Sequence, residues 1–106
     1  MSETEIPQRV LQETQERATR GAEFLDERRP GWVAKIDRKR LDMLSSRDCI
    51  LGQLYGDYED GLHALRPLSR TDLGFSVTSM ESRGVYFPAL RKAWLKLIEE
   101  RLAVPA

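Results

Sequence analysis

Few residues in this chain are able to do chemistry: one histidine, one cysteine and a short acidic run. A serine or cysteine nucleophile needs a base within hydrogen-bond reach, and nothing in the sequence brings a serine to His63. We interpret His63 as a solvated residue of a surface turn. A zinc site needs several cysteine or histidine ligands, which one of each does not supply. The sequence therefore predicts a protein that is not an enzyme, with no catalytic residue, no metal site and no cofactor.

Cys49 and the acidic run each leave two interpretations open. Cys49 lies near a predicted helix start, which would stabilise a reactive thiolate, but it also lies on the small face of that helix, where a buried structural thiol is commoner. Asp57, Glu59 and Asp60 could hold a divalent cation or a substrate, or form an exposed acidic helix end. We favour the structural interpretation for both features.

Composition restricts the class of protein. A chain of 106 residues is the size of one domain, and its 17 basic and 17 acidic residues cancel. A neutral chain has no long-range attraction to nucleic acid or to an acidic membrane. No apolar run approaches the ~20 residues of a membrane span. The polar, acidic first residues do not resemble a signal peptide, and a single cysteine fits a reducing compartment. We expect a cytoplasmic protein without a membrane partner.

The charge is nevertheless distributed unevenly. Residues 28–47 contain seven basic and two acidic residues, with the run Arg38, Lys39 and Arg40 at their centre. Such a run could contact phosphates. Acidic segments flank it on both sides, however, and no recognition helix is visible. We therefore favour pairing with those segments over nucleic-acid binding.

Hydrophobic spacing predicts three longer helices. The first runs from about Pro7 to Arg28, with a stripe whose middle is small (Ala18, Gly21 and Ala22), and ends before Pro30. The second follows a loose capping box at Ser45 and Asp48 and ends near Gly61. The last begins near Phe87 or Pro88 and runs to about Ala103. The second helix has a face of large residues and an opposite face of small ones; the large residues are Ile50, Leu51, Leu54, Tyr55, Tyr58 and Leu62, and the small ones are Cys49, Gly52 and Gly56.

The remaining segments are predicted to be short or irregular. Between the first two helices we expect two short helical turns, with Trp32 as the main core anchor and Asp37 capping the second turn. Residues 1–6 are expected to be frayed, and residues 66–86 to form an irregular connection in which Leu73, Phe75 and Val77 alternate. The prediction is an all-α fold, a compact bundle of three longer helices plus short helical turns, in a single domain of residues 1–106.

A set of short motifs runs through the chain: Gly31-Trp32, Ile36-Asp37, Leu41-Asp42-Met43, Cys49 to Gly56, Gly74-Phe75 and Ala93-Trp94. These motifs resemble those of a group of small proteins from actinobacteria and their phages. The group shares a Gly-Trp pair, an Ile-Asp pair, a Leu-Asp-Met or Leu-Asp-Leu triplet and a Cys-Val-Leu-Gly-Gln-Leu-Tyr-Gly core. The resemblance covers most of residues 21–101 and implies an actinobacterial or phage source without implying an activity. Some members carry a second cysteine at the place of Ser46, so a Cys-x-x-Cys pair is not implied here.

Three functions remain open at this point. The first is a small, non-enzymatic protein that binds a macromolecular partner, which we expect to be a protein. The second is a nucleic-acid-binding protein that uses residues 28–47. The third is a small enzyme or cofactor binder that uses Cys49 or the acidic run. We favour the first, and self-association into a homo-oligomer stays open. The candidate partner surface comprises Arg38, Lys39, Arg40, Tyr55 and Tyr58.

Overall fold

The computed structural model describes residues 6–78, 80–81 and 84–103, and all of its regular elements are helical. No strand occurs in these ranges, so the predicted all-α fold is confirmed. Residues 1–5, which include most of the segment predicted to be frayed, lie outside the described ranges. The elements are α1 (Gln8–Arg28), a 3-10 helix (Trp32–Lys35), α2 (Ile50–Tyr55), α3 (Tyr58–Leu65) and α4 (Tyr86–Ala103).

The first helix matches the prediction closely. Pro7 directly precedes α1, and its carbonyl accepts the first backbone hydrogen bonds of the helix. The helix ends at Arg28, two residues before Pro30. The three small residues predicted for the middle of the stripe lie on the buried face of α1, whereas Leu11, which has the same helical spacing, is only partly buried. Burial of that face supplies most of the stability of such a helix. The buried residues of α1 are Val10, Thr14, Ala18, Gly21, Ala22 and Leu25.

The two long helices run parallel to each other. Tyr86 at the start of α4 donates a hydrogen bond to Glu13 near the start of α1, with 2.6 Å between the oxygen atoms. Arg101 near the end of α4 pairs with Asp26 near the end of α1 at 2.7 Å. The small residues in the middle of α1 allow this close approach, and the backbone at Gly74 packs against Ala18. A parallel pair requires the intervening chain to cross the length of the bundle.

The second predicted helix is interrupted at Gly56. This residue has φ +91°, a left-handed conformation that glycine adopts at little cost, and it ends α2. Asp57 then caps α3 by accepting a hydrogen bond from the backbone N–H of Glu59 at 2.8 Å. The prediction that Gly61 ends the helix is wrong, since Gly61 is buried within α3, where a Cβ would lie 2.8 Å from that of Leu51.

The segment between α1 and α2 supplies the central aromatic anchor, as predicted. Trp32 is 1% exposed and meets Trp94 of α4 edge to face, with ring centroids 5.7 Å apart. Phe75 of the long connection stacks on Trp94, with ring centroids 5.8 Å apart. Asp37 caps the turn of residues 37–40 by accepting from the backbone N–H of Lys39 at 3.0 Å. The second apolar turn is capped instead by Asp42, which accepts from the backbone N–H of Leu44 at 3.0 Å, so the predicted cap is corrected from Asp37 to Asp42. Three rings from three segments thus tie the chain together.

The connection from α3 to α4 is irregular, as the sequence indicates. Residues 69–75 form successive hydrogen-bonded turns. Glu81 anchors the later part through a bidentate pair with Arg17 of α1, both N–O distances being 3.0 Å. Across the described ranges, no helix is both long and apolar enough to cross a bilayer.

Candidate functional site

Cys49 is built into the start of α2 as its cap. Its Sγ accepts a hydrogen bond from the backbone N–H of Gly52 at 3.3 Å, and the residue is 2% exposed. Burial raises the pKa of the Cys49 thiol above its ordinary value, which keeps the sulfur protonated. On the small face of this helix, Gly52 makes a close contact within the chain, because a Cβ there would overlap the backbone of Ser46. Ser45 caps the preceding turn by accepting from the backbone N–H of Asp48 at 3.0 Å.

The histidine and the acidic run lie on α3 and are separate from the thiol. His63 is exposed in the last turn of this helix, so its predicted place in a surface turn is corrected to a helix. Glu59 and Asp60 are exposed in the first turn of α3. Their negative charges stabilise the helix there, because the helix dipole is positive at its N-terminus. In the described ranges, no three histidine, cysteine, aspartate or glutamate side chains are grouped to hold a metal ion.

The basic half of the predicted partner surface is largely paired. Arg40 lies 2.6 Å from Asp48, and Arg38 lies 3.8 Å from Glu99 of α4. Lys39 is exposed and makes no ion pair with any described residue. The expected pairing between the basic run and its acidic neighbours is therefore present for one arginine, and a second reaches α4 instead.

The two tyrosines of that surface, Tyr55 and Tyr58, contact different neighbours. The Arg29 guanidinium lies over the Tyr55 ring, 4.8 Å from its centroid. The Tyr58 hydroxyl is buried without a hydrogen-bond partner among the described residues, and Tyr58 lines a small cavity of about 150 Å³ with Cys49 and Phe75. No hydrogen bond, ion pair or ring contact between described residues joins any two of the five predicted residues.

A different surface combines apolar side chains with arginines. A cleft of about 310 Å³ lies between the end of α1 and the connection that follows α3. Phe24 and Leu73 are partly buried against the core, while Leu68 is 106% exposed. We name this surface the arginine-rimmed cleft; its residues are Phe24, Arg28, Arg66, Leu68, Ser69 and Leu73.

The rim of the cleft is cationic. The Arg28 guanidinium lies over the Phe24 ring, 4.9 Å from its centroid. Arg66, together with Arg70, also borders a second depression of about 240 Å³ beside Leu68. Within the described part of the chain, none of these three arginines makes an ion pair. The surface therefore offers positive charge next to apolar area.

Arg66 is held in an unusual backbone conformation. Its φ of +50° and ψ of +55° are left-handed, and it is the one non-glycine residue with positive φ in the described ranges. This conformation costs about 1–2 kcal/mol for a side chain with a Cβ, and helices commonly end on glycine at such a position. The sequence did not lead us to predict this cleft, although Leu68 between Pro67 and Ser69 is a visible signal of an apolar side chain in a loop.

Comparison with protein-family models, with curated protein sequences and with solved structures yields no match for this chain.

Proposed function

We propose that this protein is a small binding protein that recognises a segment of another protein through the arginine-rimmed cleft and performs no chemistry of its own. The proposal keeps the protein-binding function that the sequence favours, but it places the binding site at the cleft instead of at the surface predicted from the sequence. Arg66 and Leu68 are the main support, because an arginine in a costly backbone conformation lies two residues from a fully exposed leucine. Strained residues concentrate at functional sites, where a gain in binding offsets their cost.

The chemistry of the cleft defines the partner. Phe24 and Leu73 form an apolar floor that suits one large apolar side chain. The guanidinium groups of Arg28 and Arg66 then suit carboxylates on either side of that anchor, since arginine pairs with carboxylates in a planar, bidentate geometry. Aromatic and arginine residues are also the types that contribute most to protein–protein binding. The partner segment we propose is acidic and carries an apolar anchor.

The biological setting follows from the sequence rather than from the cleft. The motifs shared with small actinobacterial and phage proteins support a source in that group, and the single cysteine fits a reducing cytoplasm. We propose that the partner is a host or phage protein in the cytoplasm of an actinobacterium.

A displayed library of random peptides tests the proposal by letting the chain select its own ligands. The purified chain serves as bait, and enriched peptides are synthesised and titrated by fluorescence anisotropy. We expect enrichment of acidic peptides with one large apolar residue. Leu68→Ser and Arg28→Glu are each expected to weaken their binding by about tenfold or more, as truncation of a central interface residue does.

Arg9→Glu is the matched control, because Arg9 is exposed in the first turn of α1, far from the cleft, and makes no ion pair with any described residue. It should bind the peptides like the wild type. Failure to enrich acidic peptides, or binding that survives both cleft substitutions, would contradict the proposal. Salt-dependent binding of duplex DNA or RNA that Lys39→Glu abolishes would instead favour the nucleic-acid alternative.

A further inference from the structure

The outer face of α4 carries residues with the spacing of a coiled-coil seam. Pro88, Lys92, Leu95, Glu99 and Leu102 are separated by four, three, four and three positions, which keeps them on one stripe of the helix. Lys92 and Glu99 are exposed, Leu95 is partly buried, and Leu102 is 51% exposed. We name these five residues the α4 seam.

The charges along the seam have opposite signs on the two sides of its centre. Lys92 lies three residues before Leu95, and Glu99 lies four residues after it. Lys92 makes no ion pair with any residue that the structure describes. Glu99 makes one ion pair, to Arg38 at 3.8 Å, and both side chains are largely exposed. An exposed pair at this distance contributes little, so both charges remain available.

We propose that the α4 seam binds the α4 seam of a second copy of this chain in antiparallel orientation. A two-fold axis near Leu95 brings the two Leu95 side chains together and places Lys92 of each copy beside Glu99 of the other. The same symmetry brings Leu102 near Pro88 of the second copy. Every contact therefore occurs twice, as in other isologous dimers.

The alternative orientation is disfavoured by the same charges. In a parallel pair, Lys92 would face Lys92 and Glu99 would face Glu99, and like charges across an interface are destabilising. A groove of about 380 Å³ between α1 and α4 includes three residues of the seam, Lys92, Leu95 and Glu99, and is also lined by the apolar side chains of Leu11 and Ala89. This groove provides apolar area for the leucine side chains of the second copy. The seam shares no residue with the arginine-rimmed cleft, so this inference does not depend on the proposed function.

Charge reversal combined with sedimentation velocity tests the pairing. The wild-type chain is expected to convert from monomer to dimer as its concentration rises. Lys92→Glu and Glu99→Lys each replace two attractive contacts by two repulsive ones and should weaken dimerisation by about tenfold. The double variant restores opposite charges between copies and should regain the wild-type dimerisation constant. Lys92 and Glu99 are seven positions apart, about 10 Å along one helix, so a contact within one chain does not explain such a rescue.

Glu100→Lys is the matched control, because Glu100 is exposed one position away from Glu99 and outside the seam. It makes the same change in net charge and should dimerise like the wild type. A wild-type chain that stays monomeric to millimolar concentration overturns the proposal. A dimer that both single reversals leave intact, or that the double variant fails to recover, overturns it as well.

Discussion

Gly21 of α1 lies against the backbone carbonyl of Leu73, so closely that a Cβ atom at this position would overlap the carbonyl oxygen. The same Cβ would come 2.9 Å from the ring of Trp94, whose indole N–H donates to the carbonyl of Gly74 at 2.7 Å. The connection after α3 is therefore held between the two long helices at a point where α1 has no side chain. This contact also fixes Leu73, which forms part of the arginine-rimmed cleft.

Gly21→Ala is expected to destabilise the protein. At a helix position with free space around it, glycine is less stable than alanine by about 1 kcal/mol, so the substitution would normally stabilise the protein. Here the added methyl group overlaps a backbone carbonyl, and overpacking of this kind costs about 1–3 kcal/mol. Urea denaturation should show the loss as a lower midpoint. Gly84→Ala is the control, since the nearest contact of its added Cβ with a described residue other than its chain neighbours is 4.0 Å, to the Glu81 carbonyl oxygen. Equal stability of Gly21→Ala and wild type would mean that the connection does not pack here.

The pH dependence of stability should reflect the two carboxylates that pair with arginines, Glu81 and Asp26. The hydrogen bond from Arg17 lowers the pKa of Glu81, and the hydrogen bond from Arg101 lowers the pKa of Asp26. A carboxyl whose pKa is lower in the folded state stabilises the fold above its unfolded pKa, and this stability is lost as the pH falls through the folded pKa. We therefore expect the free energy of unfolding to decrease as the pH is lowered from about 5.

Glu81→Gln isolates one of these contributions. The substitution should cost about 1 kcal/mol at pH 7, because a charge-assisted bidentate pair is replaced by a neutral group. The difference in free energy of unfolding between this variant and the wild type should shrink as the pH falls below about 4, because the wild-type Glu81 carboxylate then becomes protonated and neutral. Glu27→Gln, at an exposed position without an ion pair to a described residue, should change little at any pH. A cost for Glu81→Gln that stays constant with pH would contradict the assignment.

The helices are predictable where one physical signal dominates. The stripes of α1 and α4 repeat over several turns, so their spacing identifies them. Between Ile50 and Leu62 the apolar residues keep one continuous helical spacing, and that continuity favours a single helix. Gly56 and Asp57 divide it, because a left-handed glycine followed by a capping aspartate ends one helix and begins another. Both residues are visible in the sequence as stop and start signals.

The arginine-rimmed cleft could not be predicted from the spacing of residues along the chain. It combines Phe24 of α1 with Leu68 and Leu73, more than forty residues away, and the sequence does not state which loop returns to which helix. The individual contacts of the predicted surface residues were unpredictable for a similar reason, since among the described residues these side chains contact different neighbours. Arg29, a near neighbour of the basic run, lies over Tyr55, whereas the Tyr58 hydroxyl is buried. Adjacent residues with related chemistry suggest one surface, but tertiary packing directs them to different neighbours.

Cys49 is expected to be unreactive in the folded protein. Its sulfur is buried, caps α2 and has a raised pKa, so the thiolate that reacts is scarce. Modification by a thiol-reactive disulfide reagent should be at least about a hundredfold slower in the native protein than in urea, because it requires local opening. The unfolded chain serves as the internal control. Equally fast reaction in both states would restore Cys49 as a candidate nucleophile.

Arg66→Gly is expected to separate stability from binding. Glycine removes the steric cost of the left-handed backbone at this helix end, so the free energy of unfolding should rise by about 0.5–1 kcal/mol. The same substitution removes a guanidinium from the rim of the cleft and should weaken binding of the selected acidic peptides. Arg66→Ala is the matched variant: it keeps the strained backbone, so it should lose binding to the same extent without the gain in stability. Chemical denaturation and peptide titration of the three proteins measure both effects. A loss of stability in Arg66→Gly would mean that the arginine side chain supports the fold itself, and strain at Arg66 would then no longer indicate a binding role.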